Sequence, residues 1–284
     1  MRPHQPTVRT PVGRGTVVGV SRYTHGHHES VLRSHLWRTV DNSAAYLAEH
    51  LEPGMSLLDV GCGPGNLTVD LARRVAPGRA IGVDNAESII ERARDDTPAD
   101  ADNVEFRTGD VYEMEFGDDS FDLVHAHQVL QHLDDPVAAL AEMWRVCRPG
   151  GIVAARDAVY STMAWYPDDD RLERWRTLYR AVAVGNGGEP DAGRFLMRWA
   201  RQAGFREVES SASAWCFATP SDRRWWGTLW AERSTDSSLA DQAIDRGLAT
   251  RSELEDIAAG WIDWAGQSDG WFAVTHGEVI ATVT

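Results

Sequence analysis

Leu57-Leu58-Asp59-Val60-Gly61-Cys62-Gly63-Pro64-Gly65 runs from a short apolar segment straight into a turn that holds three glycines. Residues 56–60 read as a buried strand, and the helical pattern at 66–75 that follows stops at Pro77-Gly78. A strand, a glycine turn and a helix in that order let backbone approach a ligand closely, because glycine adopts conformations closed to other residues. A dinucleotide fingerprint would put its third glycine where this chain has Asn66. It would also not place a carboxylate, Asp59, two residues ahead of the first glycine. Beside a pyrophosphate that charge is repulsive; beside a cation it is favourable.

The rhythm continues outward from the turn. An apolar run at 80–83 ends at Asp84, a helix covers 87–94, and a third strand at 104–107 ends near Asp110. A fourth strand covers 121–126, a helix at 136–146 is stopped by Arg148-Pro149-Gly150-Gly151, and a fifth strand at 152–155 ends near Asp157. Strands that alternate with helices and are apolar throughout predict an α/β fold with a doubly wound, mostly parallel sheet. Ligands of such sheets lie beyond the carboxyl ends of the strands. There the spacing collects Asp59, Asp84, Asp110 and Asp157 into an expected acidic rim.

On either side the pattern differs. A helix is predicted over 29–51. Beyond Tyr160, helices are expected at 168–184 and 194–202, a weak strand at 208–217 and a helical stretch at 221–265. A closing hairpin is expected from 271–276 and 279–283 around Gly277-Glu278. Ten of the twelve tryptophans follow Gly150. Most should be core, and together they predict an aromatic cap suited to a planar or apolar ligand.

Composition narrows the chemistry. All 28 basic residues of the 284 are arginine. Without lysine no Schiff base and no Walker A phosphate contact can form. A net charge of −15 disfavours a sequence-independent nucleic-acid binder. Cys62, Cys147 and Cys216 are too dispersed for a disulfide frame, which points to a cytoplasmic protein. No run reaches the eighteen apolar residues of a membrane span. Residues 1–16 lack the apolar stretch of a signal peptide. His25, His27, His28 and His35 cluster early but lack a second ligand pair at zinc spacing, so no metal site is expected.

Five segments in order (57–65, 81–84, 107–116, 121–133 and 143–151) resemble the class I S-adenosylmethionine-dependent methyltransferases. Within that class the chain is similar to the UbiE-type enzymes, which act on quinones and other small molecules. S-adenosylmethionine also meets the charge argument, since it carries a sulfonium and an ammonium and no phosphate. The resemblance implies a seven-stranded Rossmann-like sheet beneath a helical, Trp-rich cap. It implies that Gly61, Cys62 and Gly63 back the methionine moiety, with Asp59 beside them. Asp84 and Asn85 would hold the ribose, and Gly109, Asp110 and Val111 the adenine. His127 and Gln128 would sit by the methyl donor, and Tyr23 and His28 would reach it from an N-terminal lid. His125 and His127 share a strand face, and His132 follows at helical spacing. His127 and His132 are therefore the candidate catalytic residues, able to remove or hold an acceptor proton. Arg156, Arg171 and Arg194 are candidate anchors for an acceptor carboxylate.

The expected organisation is a flexible tail (1–20), a lid and helix (21–52), a cofactor-binding core (53–160) and a helical insertion (161–192). A core continuation (193–220), a helical cap segment (221–265) and a terminal strand or hairpin completing the sheet (266–284) follow. The expected activity is methyl transfer to oxygen, carbon or nitrogen of a small molecule beneath the cap. The alternatives are a peptide or protein side-chain or carboxylate acceptor, and cofactor binding without transfer.

Overall fold

The computed structural model describes residues 29–284. Its strands are β1 (Ser56–Val60), β2 (Arg79–Asp84), β3 (Val104–Thr108), β4 (Phe121–His127), β5 (Cys147–Ala158), β6 (Ala164–Tyr166), β7 (Glu207–Phe217) and β8 (Trp271–Thr282). The order runs β3-β2-β1-β4-β5-β8, and β1 to β5 are parallel. Strand β8 is antiparallel to β5 on one side and to β7 on the other. This is the doubly wound, mostly parallel sheet the sequence predicts, with one strand more than expected. The extra strand, β6, pairs with Trp271 to Ala273 of β8.

The helices are α1 (Glu29–Leu36), α2 (Val40–Ser43), α3 (Asn66–Val75), α4 (Glu87–Asp95), α5 (Pro136–Val146), α6 (Asp170–Gly185), α7 (Leu196–Ala203), α8 (Pro220–Asp236), α9 (Ser238–Asp245) and α10 (Arg251–Gly266). None among the described residues is long and apolar enough to cross a membrane. Helices α5 and α7 cover one face of the sheet, where Val124, Ala126, Val153, Ala155, Val279 and Ala281 point. The other face receives Val40, Ala44 and Leu47 of the segment before β1, together with α3.

Two expectations are corrected. The single helix over 29–51 is instead α1, α2 and a 3-10 turn. Thr39 is extended and caps α2, its hydroxyl accepting from the Asn42 N–H while the Asn42 side chain answers its own N–H. Such a capping box begins a helix and so ends the one before it. The closing hairpin is instead one continuous strand, with Gly277 and Glu278 paired to Asp157 and Arg156 in mid-ladder. Gly277 is a point of close approach: a Cβ there would lie 2.0 Å from the Gly193 carbonyl oxygen.

The cap is a tryptophan core. Trp175, Trp230, Trp261 and Trp264 are fully buried among α6, α8, α10 and the start of β8. Trp175 meets Trp230 edge-on at 4.5 Å and Trp261 at 4.8 Å. Offset and edge-on pairs of this kind add to the large area each ring buries. Truncating Trp175 to alanine is expected to cost about 3–5 kcal/mol, while the half-exposed Trp271 stays within about 0.5 kcal/mol, both read from urea unfolding midpoints.

Candidate functional site

Where β1 ends, the N–H groups of Gly61 and Cys62 both donate to the Val83 carbonyl, at 2.7 and 3.0 Å. Gly61 has a φ of +67° and Gly63 of +56°, in the left-handed region that favours glycine. A Cβ on Gly61 would lie 2.4 Å from Val129 Cγ2, and one on Gly63 would lie 3.0 Å from His35 Nδ1. The turn therefore touches the β4 connection on one side and α1 on the other.

The carboxylate of Asp84 ties β2 to this turn. Its Oδ2 accepts from the Gly63 N–H and its Oδ1 from the Ala86 N–H, both at 3.1 Å. The Asp84 carbonyl accepts from the Gly109 N–H at 3.0 Å. Asn85 and Asp110 are exposed beside them. Asp110 Oδ1 accepts from the Tyr112 N–H at 2.9 Å, and Val111 is half-buried next to it. Gly61, Cys62, Gly63, Asp84, Asn85, Gly109, Asp110 and Val111 thus gather at the carboxyl ends of β1 to β3.

The acidic rim is smaller than expected. Asp59 is buried within the strand face, with Oδ1 2.8 Å from His125 Nδ1 and Oδ2 accepting from the Thr68 hydroxyl at 2.6 Å. Asp157 is fully buried on the opposite face, and its Oδ1 accepts from the Gln131 N–H at 3.2 Å. Strand alternation sends both side chains inward. Burial pushes the Asp157 carboxyl up to about 8. Only Asp84 and Asp110 of the four lie at the rim.

His125 and His127 do share a face, with near-parallel rings 6.4 Å apart. His276 of β8 continues the row at 6.4 Å, and Trp215 of β7 lies against both His127 and His276. Burial, reinforced by Arg38 and Arg156, holds His127 well below its ordinary pKa, and burial and the same arginines do so for His276. Burial and Arg38 push His132 down to about 3. His127, His132 and His276 are therefore neutral near pH 7.

Gln128 is left-handed, with a φ of +55°. This bend places its amide between two elements: Oε1 accepts from Arg38 Nη2 at 2.6 Å, and Nε2 donates to His276 Nε2 at 2.9 Å. Leu130 to His132 then form a 3-10 turn, in which the Gln131 amide donates to His132 Nε2 at 3.0 Å.

Two narrow spaces meet here. One, about 10 Å³, is lined by His35, Arg38, Asp59, Gly61, Cys62 and His127 among others. The second, about 30 Å³, lies under the cap and is lined by Arg38, Gln131, His132, Trp215, Trp230 and Arg233 among others. His35 and Arg38 line both. Helix α1 closes them by docking on α8: Arg33 pairs with Glu232, and Arg233 Nη2 donates to the Ser34 hydroxyl at 2.6 Å. Trp37 packs edge-on against Trp215 at 5.2 Å. Ligand sites usually measure roughly 300–1,000 Å³, far more than either of these spaces.

Tyr23 and His28, expected from the lid, lie outside the described residues, as do His25 and His27. The expected arginine anchors are engaged elsewhere. Arg156 pairs with Glu278 at 3.1 Å inside the sheet, and Arg171 pairs with Asp169 and Asp263. Arg194 stands over Phe195. The arginines at the site are Arg38 and Arg233, which no sequence motif marks; the His-Gln-Val-Leu-Gln-His run was the one signal pointing to Gln131.

A family model described as a methyltransferase domain matches residues 51–211, more than half of the chain. An uncharacterized methyltransferase of Schizosaccharomyces pombe is 34% identical over 271 residues, covering 91% of this chain and 95% of that protein. A demethylmenaquinone methyltransferase of Staphylococcus aureus is 38% identical over 111 residues, 39% of this chain and 46% of its own. Among solved structures, phosphoethanolamine N-methyltransferase 2 of Haemonchus contortus, in complex with phosphomonomethylethanolamine and S-adenosylhomocysteine, is 18% identical. It aligns with a TM-score of 0.51 over 84% of this chain and 51% of that one.

The neutral histidines have a consequence for stability. Unfolding returns His127, His132 and His276 to an ordinary value of 6.5, so below that pH the unfolded chain binds more protons than the folded one. Stability is then lost as pH falls from 6.5 toward 5. Asp157 works in the opposite sense, since its folded value is raised to about 8, but it is one group against three. The urea midpoint should fall between pH 6.5 and 5, and His132→Gln should make that fall shallower.

Proposed function

The chain belongs to the methyltransferase-domain family, and from that premise we propose that it moves the methyl group of S-adenosylmethionine to a small-molecule acceptor beneath the aromatic cap. The observation that carries this is the junction of the two spaces at His35 and Arg38. One space borders the glycine turn and the other borders tryptophan faces, so two ligands would meet end to end.

The residues present fit the cofactor. Gly61 and Gly63 leave a bare backbone cradle that any Cβ would fill. Asp84 and Asn85 would take the ribose hydroxyls, and Gly109, Asp110 and Val111 would flank the adenine. A neutral His127 adds no like charge beside a sulfonium. Arg38, bordering the turn, is complementary to the methionine carboxylate. When bound, the cofactor supplies a methyl group on a sulfonium that leaves as a neutral thioether.

The chain's own part is placement. Gln128, fixed between Arg38 and His276, and His127 border the point where the acceptor would approach. Holding two reactants in line at one junction replaces a bimolecular encounter with a positioned one. His132 lines the acceptor cavity, and a pKa near 3 suits it to orienting an acceptor hydroxyl better than to removing its proton. Closure of the cavity by α1 and the cap favours a small molecule over a peptide segment.

Titration calorimetry with S-adenosylhomocysteine should give micromolar or tighter binding. Asp84→Asn should weaken it by at least about tenfold, as loss of a charge-assisted hydrogen-bond acceptor does. Absence of binding, or unchanged affinity in Asp84→Asn, would count against the cofactor assignment.

A further inference from the structure

We propose that another cavity, between the segment that follows α1 and strands β5, β7 and β8, is a second ligand site. It would take a small, neutral, planar molecule whose carbonyl oxygen is held by Arg156 and Tyr46. The cavity is separate from the two spaces described above, and the proposal does not rest on the methyl-transfer reading. Its volume is about 450 Å³, within the range of small-molecule sites. Trp37 and Tyr46 line it from the segment after α1, and Arg156, Ser213, Trp215 and Glu278 line it from the sheet.

Two unmatched donors point to a ligand. Arg156 is only 1% exposed. Its Nε donates to Glu278 Oε1 at 3.1 Å and to Ser213 Oγ at 3.2 Å, and its Nη2 donates to Ser213 Oγ at 3.1 Å. Nη1 is buried and has no hydrogen-bond partner among the described residues, and the same holds for the buried Tyr46 hydroxyl. Burial raises the Tyr46 phenol well above its ordinary value, so it stays an O–H donor at neutral pH. Buried donors left without partners cost free energy that an oxygen acceptor recovers. A carbonyl oxygen, with two lone pairs, can accept from both.

The charges on the wall select a neutral ligand. Arg156 is balanced by Glu278, and Asp41, the other carboxylate lining the cavity, is paired with Arg74 at 2.7 Å. An anion would meet two carboxylates, and a cation would meet the guanidinium. The aromatic lining selects a flat body, since Trp37 and Trp215 both border the cavity and pack edge-on at 5.2 Å. Hydrogen bonds fix this frame in the free protein. The Trp215 indole N–H donates to the Asn42 carbonyl at 2.5 Å, and the Val40 N–H donates to Asp70 Oδ2 at 2.7 Å. Trp215 also lines the cavity under the cap, so an occupant here adjoins the acceptor space across one ring.

The test titrates the full chain by calorimetry with benzamide and quinolin-2-one, beside benzoate and benzylamine as charged molecules of benzamide's size. Both neutral carbonyl compounds should bind, benzamide about tenfold or more tighter than either charged analogue. Tyr46→Phe should weaken benzamide about three- to tenfold while leaving the urea midpoint unchanged or higher, because it removes a buried hydroxyl that has no partner. A hydroxyl with a structural role would lower the midpoint instead, and that result counts against the proposal. Ala45→Trp, at an exposed position lining the cavity, should abolish binding by filling the space. No binding of either neutral compound at about 10 mM, equal or tighter binding of benzoate or benzylamine, or unchanged affinity in Ala45→Trp would each overturn it. The wild-type ranking decides the question even if a substituted chain folds poorly. S-adenosylhomocysteine plays no part in these titrations, so their failure leaves the cofactor assignment untouched.

Discussion

The site depends on one steric constraint at the turn after β1. Gly61 and Gly63 hold backbone conformations that other residues rarely adopt, and a Cβ would crowd a different element at each, at 2.4 and 3.0 Å. Val129 presses on the first and His35 on the second. The connection after β4 and the helix before β1 are therefore brought to the same turn from opposite sides. Asp84 completes the arrangement by accepting the N–H of Gly63, which locks the end of β2 to the turn.

Beneath the turn lies a polar layer on a face that alternation would otherwise fill with aliphatic side chains. It contains Asp59 with His125, the row His125, His127 and His276, and Arg156 with Glu278. Burying such groups costs free energy unless each finds a partner. Asp59 is matched twice, by His125 and Thr68, and Glu278 by Arg156, Ser211 and Ser213. Burial holds His127 and His276 well below their ordinary pKa, and neither ring nitrogen of His127 has a hydrogen-bond partner among the described residues. The price of this layer is a sensitivity to acid, and its benefit is that neither His127 nor His276 brings a positive charge under the site.

Much of this was legible in the chain, for identifiable reasons. Strands β1 to β5 and their helices follow from apolar runs and stop signals, which are local. The glycine turn and Asp84 follow from spacing that strand ends impose. The break at Thr39 is hidden by helical periodicity, because Leu32, Leu36, Val40 and Leu47 run straight through it and only the capping box with Asn42 marks it. Gly277-Glu278 looked like a turn because a glycine beside a polar residue usually marks one; here Gly277 admits the Gly193 backbone and Glu278 answers Arg156. Asp157 ends β5 but is buried on the opposite face, and Asp59, though buried, still lines the small space at the turn. The arginines at the site were not recoverable: Arg38 and Arg233 lie 195 positions apart and meet only because α1 docks on α8. The absence of lysine excludes mechanisms but does not say which arginine faces a ligand.

The central claim is that the lid, the glycine turn and the β4 connection form one binding unit. Hydrogen exchange measured with and without saturating S-adenosylhomocysteine tests it most directly. The account predicts that amides in residues 33–43, 61–66 and 128–132 slow together when the ligand binds. Slowing confined to 61–66 and the end of β2, with 33–43 unchanged, would contradict it.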